Sequence, residues 1–160
     1  MSDLTVEGLL VPKNKIRVVW PQAEKLLADA IEQSRGKIVP ENLYSFILSP
    51  YGQLWMANTK EPPEFIMAMV TQICAYHSVN VLRVIVAGGK CAKAALPIMK
   101  MVEEFALQEG CGGIEVSGRV GWKKLLAPYE FKQEAIILYK DLREELDAYQ
   151  ELKMVVGQLH

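Results

Sequence analysis

The stretch from Asn80 to Leu142 constrains the fold more than any other part of this chain. An apolar run, Val81 to Ala87, meets Gly88-Gly89 and is followed by a helical stretch to Glu109 and the turn Gly110-Cys111-Gly112-Gly113. A second apolar run, Ile114 to Ser117, leads into Gly118-Arg119-Val120-Gly121-Trp122, a short basic helix, Tyr129-Glu130-Phe131 and a final strand. Strand, glycine turn, helix and strand in that order predict a right-handed crossover between parallel strands. The helix N-terminus then lies at the strand ends, where phosphate-bearing ligands bind.

Composition narrows the classes available. Residues are 51% hydrophobic and 23% charged, which predicts a packed globular chain rather than a disordered one. Eighteen basic residues against nineteen acidic ones leave a net charge of −1, which argues against a binder whose affinity comes from neutralising nucleic-acid phosphates. Cys74, Cys91 and Cys111 are odd in number and lack C-x-x-C spacing, so neither a disulfide framework nor a metal site is expected, and a reducing compartment is. The first residues lack a basic segment followed by an apolar run, and no stretch is apolar enough for a membrane span; the expectation is a soluble protein without a cleaved signal, with no membrane partner.

Along the chain, Leu9 to Val11 predicts a short strand and Trp20-Pro21 the start of a first helix, with Ala23, Leu26, Leu27, Ala30 and Ile31 on one face. A second helix is expected from Pro40 to Ile47. Strands follow at Gln53 to Thr59, Phe65 to Tyr76 and Val81 to Ala87, with connections short enough for antiparallel pairing. The predicted order is strand, two helices, three antiparallel strands, helix, strand, helix, strand. This is an α/β class with a mixed, mostly antiparallel central sheet and helices on both faces. Residues 1–142 read as the domain and 143–160 as a C-terminal amphipathic extension.

That order resembles the GNAT acetyltransferase superfamily, and its details resemble GNAT-related proteins encoded by bacteriophages and prophages. The likeness is carried by Val81 to Gly89, by Glu109 to Trp122 with its Gly-Arg-x-Gly-Trp segment, and by Pro40 to Ile47 followed by Gly52-Gln53-Leu54-Trp55. The resemblance implies an acyl-CoA site in which a Gln/Arg-x-x-Gly-x-Gly/Ala turn offers backbone amides to the pyrophosphate. Here the turn would be Gly88, Gly89, Lys90, Cys91, Ala92, Lys93, Ala94, Ala95, with Lys93 where glycine should stand and Ala95 fitting. Lys90 and Lys93 either hold an anion or form a solvated edge.

The resemblance also implies a glutamate base near the fourth strand and a tyrosine acid before a Gly-Phe pair. The fourth strand offers Asn80 and Arg83, and the tyrosine place is taken by Leu126 in Leu126-Ala127-Pro128-Tyr129-Glu130-Phe131. Tyr129 is a substitute acid or a packed cap, His77 a base or a solvated loop residue, and Cys91 a nucleophile at a helix N-terminus or a small core residue. Arg119 either clamps an anion beside the notch between diverging strands or pairs with Glu115, while Trp122 covers the core.

Beyond the last strand, Leu142, Leu146, Tyr149, Leu152 and Val156 fall on one stripe of a helix predicted over Asp141 to Val156. That stripe docks either on its own sheet or on a neighbouring subunit. Two functional readings follow. In the first, implied by the resemblance to phage proteins, the chain is a catalytically degenerate GNAT-fold pseudoenzyme. It needs no cofactor, and serves as a virion or assembly component that binds other phage structural proteins or itself, in the host cytoplasm and then the virion. In the second it is an N-acetyltransferase that uses acetyl-CoA on a small-molecule or protein amine.

Overall fold

A computed structural model of the protein describes residues 5–90, 96–118 and 120–159. Five strands form one sheet in the order β1 (Val6–Leu10), β2 (Gly52–Lys60), β3 (Pro63–Ala75), β4 (Asn80–Gly89), β5 (Cys111–Val116). The first three pairings are antiparallel and β4 pairs β5 in parallel, so the mixed, mostly antiparallel sheet expected from the sequence is present. Helices α1 (Ile16–Gln33) and α2 (Pro40–Leu48) cover one face. The other face carries α3 (Met99–Gln108), entered through a 3-10 turn at Leu96–Ile98. Two further helices follow, the short α4 (Val120–Leu126) and, far down the chain, α5 (Arg143–Gln158).

Each layer is held by the side-chain alternation of the strands. Leu54, Met56, Ala68 and Val70 point toward Ile16, Ala23 and Leu27 of α1 and Leu43 and Ile47 of α2. Trp55, Ala57, Met69 and Leu82 point toward Val102 and Ala106 of α3. Trp55 is fully buried, meets Phe105 edge-on at 5.3 Å and donates its indole N–H to Thr71 Oγ1 at 2.9 Å. The Thr71 hydroxyl in turn donates to Gln53 Oε1 at 2.8 Å, so the polar atoms beneath α3 satisfy one another. At the end of α2, the Lys13 ammonium donates to the carbonyls of Ile47 and Ser49 at 2.6 Å each, and also to Gly52. A cation at a helix C-terminus offsets the unpaired carbonyls there.

Two expectations need correction, and one of two open alternatives is set aside. Helix α1 starts at Ile16, four residues before Trp20-Pro21, because Ile16 is itself fully buried; Pro21 lies inside the helix, where it forgoes a hydrogen bond to the Arg17 carbonyl. The final strand expected after Phe131 is not formed. Glu130 adopts a left-handed conformation (φ 67°) after the 3-10 turn Ala127–Tyr129, and residues 131–142 then run without regular structure. A strand needs a ladder partner, and none of the described strands pairs with that segment. The C-terminal helix does not fold back on its own sheet either, since every residue from 132 to 159 is exposed.

Candidate active site

The crossover carries the feature on which a ligand site depends. β4 and β5 pair from Asn80↔Cys111 to Val84↔Val116 and then separate, leaving the last five residues of β4 with no strand on that side. The separation begins at a bulge. Against β3 the register runs Val70↔Val86 and then Thr71↔Val84, so Ile85 is an extra residue. Its effect is visible in the cores: Ile85 and Val86 both face α1, whereas Val84 and Ala87 face α3. The added twist swings the end of β4 away from β5, and backbone groups on its free edge are left for something other than a strand to satisfy.

A cavity of about 440 Å³ opens in this notch. Its lining comes from both faces of the sheet: Leu26, Asp29, Ala30 and Gln33 from α1, and Met67, Met69, Leu96, Ile98 and Met99 from the α3 side. Val84 to Gly89 form one wall, while Val116, Ser117, Gly118, Trp122 and Leu126 form the other. The notch therefore passes through the sheet layer, and two molecules entering from opposite faces could meet inside it. It is apolar along most of its length, with Asp29, Gln33 and Ser117 supplying polar side chains.

Gly88 and Gly89 line this wall and are required by the backbone around them. A Cβ on Gly88 would lie 2.5 Å from the Leu26 carbonyl oxygen of α1, and one on Gly89 would lie 2.1 Å from the Ile66 carbonyl oxygen of β3. Both contacts are with main chain and cannot be relieved by a side-chain rotation. Lys90 turns away from the notch. Its N–H donates to the Ile66 carbonyl at 2.9 Å, its ammonium pairs with Glu64, and it lines a separate depression with Gln22, Lys25 and Phe65. Cys91, Lys93, Ala95 and Arg119 lie outside the described residues.

The residues proposed for proton handling are not gathered at the notch. Tyr129 is half-buried in the 3-10 turn after α4 and is not part of the cavity wall, and His77 is exposed in the β3–β4 turn. Leu126, the residue at the tyrosine place, is buried and does face the cavity. Trp122 lies over Gly118, where a Cβ would come within 2.6 Å of the indole, and forms part of the same wall. Glu115 accepts a hydrogen bond from the Tyr76 hydroxyl at 3.2 Å. Cys111 is buried, and that burial, followed by the nearby Glu109, pushes its thiol pKa up, so it makes a poor nucleophile. No cluster of three or more potential metal-ligating side chains occurs among the described residues. Among the same residues no helix is long and apolar enough to cross a membrane.

Sequence reasoning missed Asp29 and Gln33. Both lie on the exposed side of α1 and read as ordinary solvated positions; only the packing of α1 across β4 brings them to the notch. The i, i+4 spacing of Asp29 and Gln33, in step with Leu26 and Ala30, was the available signal.

No protein-family model matches the sequence, and no curated protein matches it. Solved structures do match the fold. A predicted acetyltransferase from Clostridium acetobutylicum, solved with acetyl-CoA, superposes with a TM-score of 0.63 at 10% identity, over 88% of this chain and 98% of that one. An aminoglycoside acetyltransferase from an uncultured soil metagenomic sample gives 0.62 at 10% identity, over 86% and 98%. A Trypanosoma brucei acetyltransferase gives 0.61 at 10% identity, over 86% and 100%. The chain thus has the GNAT acetyltransferase fold. Nothing in these matches indicates a phage origin.

Proposed function

We propose that this protein is an acyl-CoA-dependent N-acyltransferase whose reaction takes place in the notch between β4 and β5. The observation that carries this reading is the divergence of two parallel strands at a bulge, which opens a cavity through the sheet. The free edge of β4 suits an extended, amide-bearing arm, which would satisfy backbone groups as an added strand does. Met67, Met69, Val84 and Leu96 offer apolar cover for that arm and exclude water from the reacting carbonyl. One neighbour solved with acetyl-CoA, and another solved with the bisubstrate analogue CoA-S-monomethyl-acetylneamine, support the same reading.

Acyl-CoA, when bound, supplies a thioester whose carbonyl carbon gains a bond to the acceptor nitrogen as the C–S bond breaks. The chain's own part is to orient the acceptor and to take its proton. Asp29 is the carboxylate on the α1 side of the cavity, and it can receive that proton directly or through a water molecule. With Leu126 at the tyrosine place, the departing sulfur would be protonated from solvent.

The test is calorimetric titration with acetyl-CoA, together with a thiol-release assay across a panel of amines. Binding in the micromolar range and amine-dependent release are expected. Ser117→Phe, which places a ring in the notch from an exposed position, should weaken binding by about tenfold or more while leaving the fold intact. A folded wild-type chain that neither binds acetyl-CoA nor releases thiol with any amine would overturn the assignment.

A further inference from the structure

We propose that the acceptor is a primary amine joined by a flexible chain to a carboxylate, and that Arg83 holds that carboxylate at the mouth of the notch; the inference rests on the acyltransferase reading. Arg83↔Glu115 and Val84↔Val116 are the last pairs that β4 and β5 make before they part. Side chains of a strand alternate between faces. Val84 and Val116 pack toward α3, so Arg83 and Glu115 stand on the α1 side of the sheet, the side from which Asp29 reaches the cavity. They form the last rung before the opening on that face. The helices of that side lie on β2, β3 and β4, and the same face of β5 is left open, with Glu115 half-buried and Ser117 exposed. A molecule reaching the notch from the α1 side passes over this rung.

The charges on the rung select what can lie there. Glu115 is engaged by Tyr76, whose hydroxyl reaches from just past β3 over β4 to donate to Glu115 Oε2 at 3.2 Å. Arg83 is exposed, and among the described residues its guanidinium has neither an ion pair nor a hydrogen bond, although Glu115 is its neighbour across the ladder. An unpaired guanidinium presents parallel N–H donors that match the two oxygens of a carboxylate. A cation at this place also repels a second ammonium, so it favours an amine with an anionic far end over a diamine. Spacing sets the length of the chain between the two ends. Ile85 lines the cavity on the same face as Arg83 and lies two residues further along β4, which puts the rung about 7 Å from the notch. Glycine is too short to reach both ends. The extended chain of 6-aminohexanoate covers the gap, with its amine beside Asp29 and its carboxylate on Arg83.

The experiment is thiol release from acetyl-CoA with 6-aminohexanoate, glycine, hexylamine and the diamine cadaverine as acceptors. 6-Aminohexanoate should exceed each of the others by about tenfold or more in kcat/KM, the value of one charged hydrogen-bonded pair. Arg83→Ala should raise KM for 6-aminohexanoate by a similar factor, in KM rather than kcat, and abolish its advantage over hexylamine. Arg83→Lys should recover part of it, because the charge remains while the paired donors are lost. A wild-type chain that acylates hexylamine or cadaverine as readily as 6-aminohexanoate overturns this inference and leaves the acyltransferase reading standing. So does a preference for 6-aminohexanoate that persists in Arg83→Ala, or acetyl-CoA binding without release from any of these amines. A chain that neither binds acetyl-CoA nor releases thiol with any amine overturns both.

Discussion

At the scale of single residues, the buried triplet Gln53, Trp55 and Thr71 shows how a core polar group fixes a sheet. Thr71 accepts from the indole and donates to the amide oxygen, so replacing it with valine leaves one buried donor and one buried acceptor unpaired. Thr71→Val is expected to destabilise the protein by about 3 kcal/mol in urea unfolding, whereas Thr71→Ser should cost much less. Leu126 carries the opposite lesson, an apolar residue where acid chemistry could sit. Because its side chain faces the notch, Leu126→Tyr should raise turnover with acetyl-CoA by about tenfold if sulfur protonation limits the rate, and Leu126→Phe should not. Leu126 was legible in the sequence as an occupant of the tyrosine place. The Thr71 network was not, since its three members come from two strands paired through space.

At the scale of elements, apolar runs bounded by turn residues identified β2, β3 and β4 to within a few residues, and the glycine turns located the crossover. The last strand failed because an apolar, strand-like run specifies only a willingness to pair, and the pairing itself belongs to the neighbour. α5 was legible because its stripe repeats at helical spacing over four turns. Its first turn is held by Asp141, which accepts the Arg143 backbone N–H at 3.0 Å and also receives the Arg143 guanidinium. Hydrogen bonds from Arg143, side chain first and then backbone, lower the Asp141 carboxyl from 3.8 to about 2. A carboxyl whose pKa is depressed on ordering contributes fully above its ordinary value and loses that contribution as pH falls through the lowered one. Circular dichroism should therefore show helix loss between about pH 4 and pH 2 that Asp141→Asn reduces, the variant starting from a lower helix signal at pH 5.

For the whole molecule, function depends on the relation between layers. Saturating acetyl-CoA at about 100 times its dissociation constant should stabilise the fold by about 2.7 kcal/mol. In a chain of this size that amounts to a rise of roughly 5–10 °C in melting temperature, cut to about half or less in Ser117→Phe. Asp29→Asn should leave this shift unchanged and lower kcat/KM by about a hundredfold. The sequence by itself determined the strands, the helices, their order and the glycines at the crossover, because each is written in local periodicity and backbone permissiveness. Only the tertiary structure decided that β4 bulges at Ile85, that Asp29 of α1 reaches the notch while Lys90 turns to Glu64, and that the last apolar run pairs with none of the described strands. Those outcomes depend on which surfaces meet across the sheet, and a partner distant in sequence leaves no local pattern at the residue it meets.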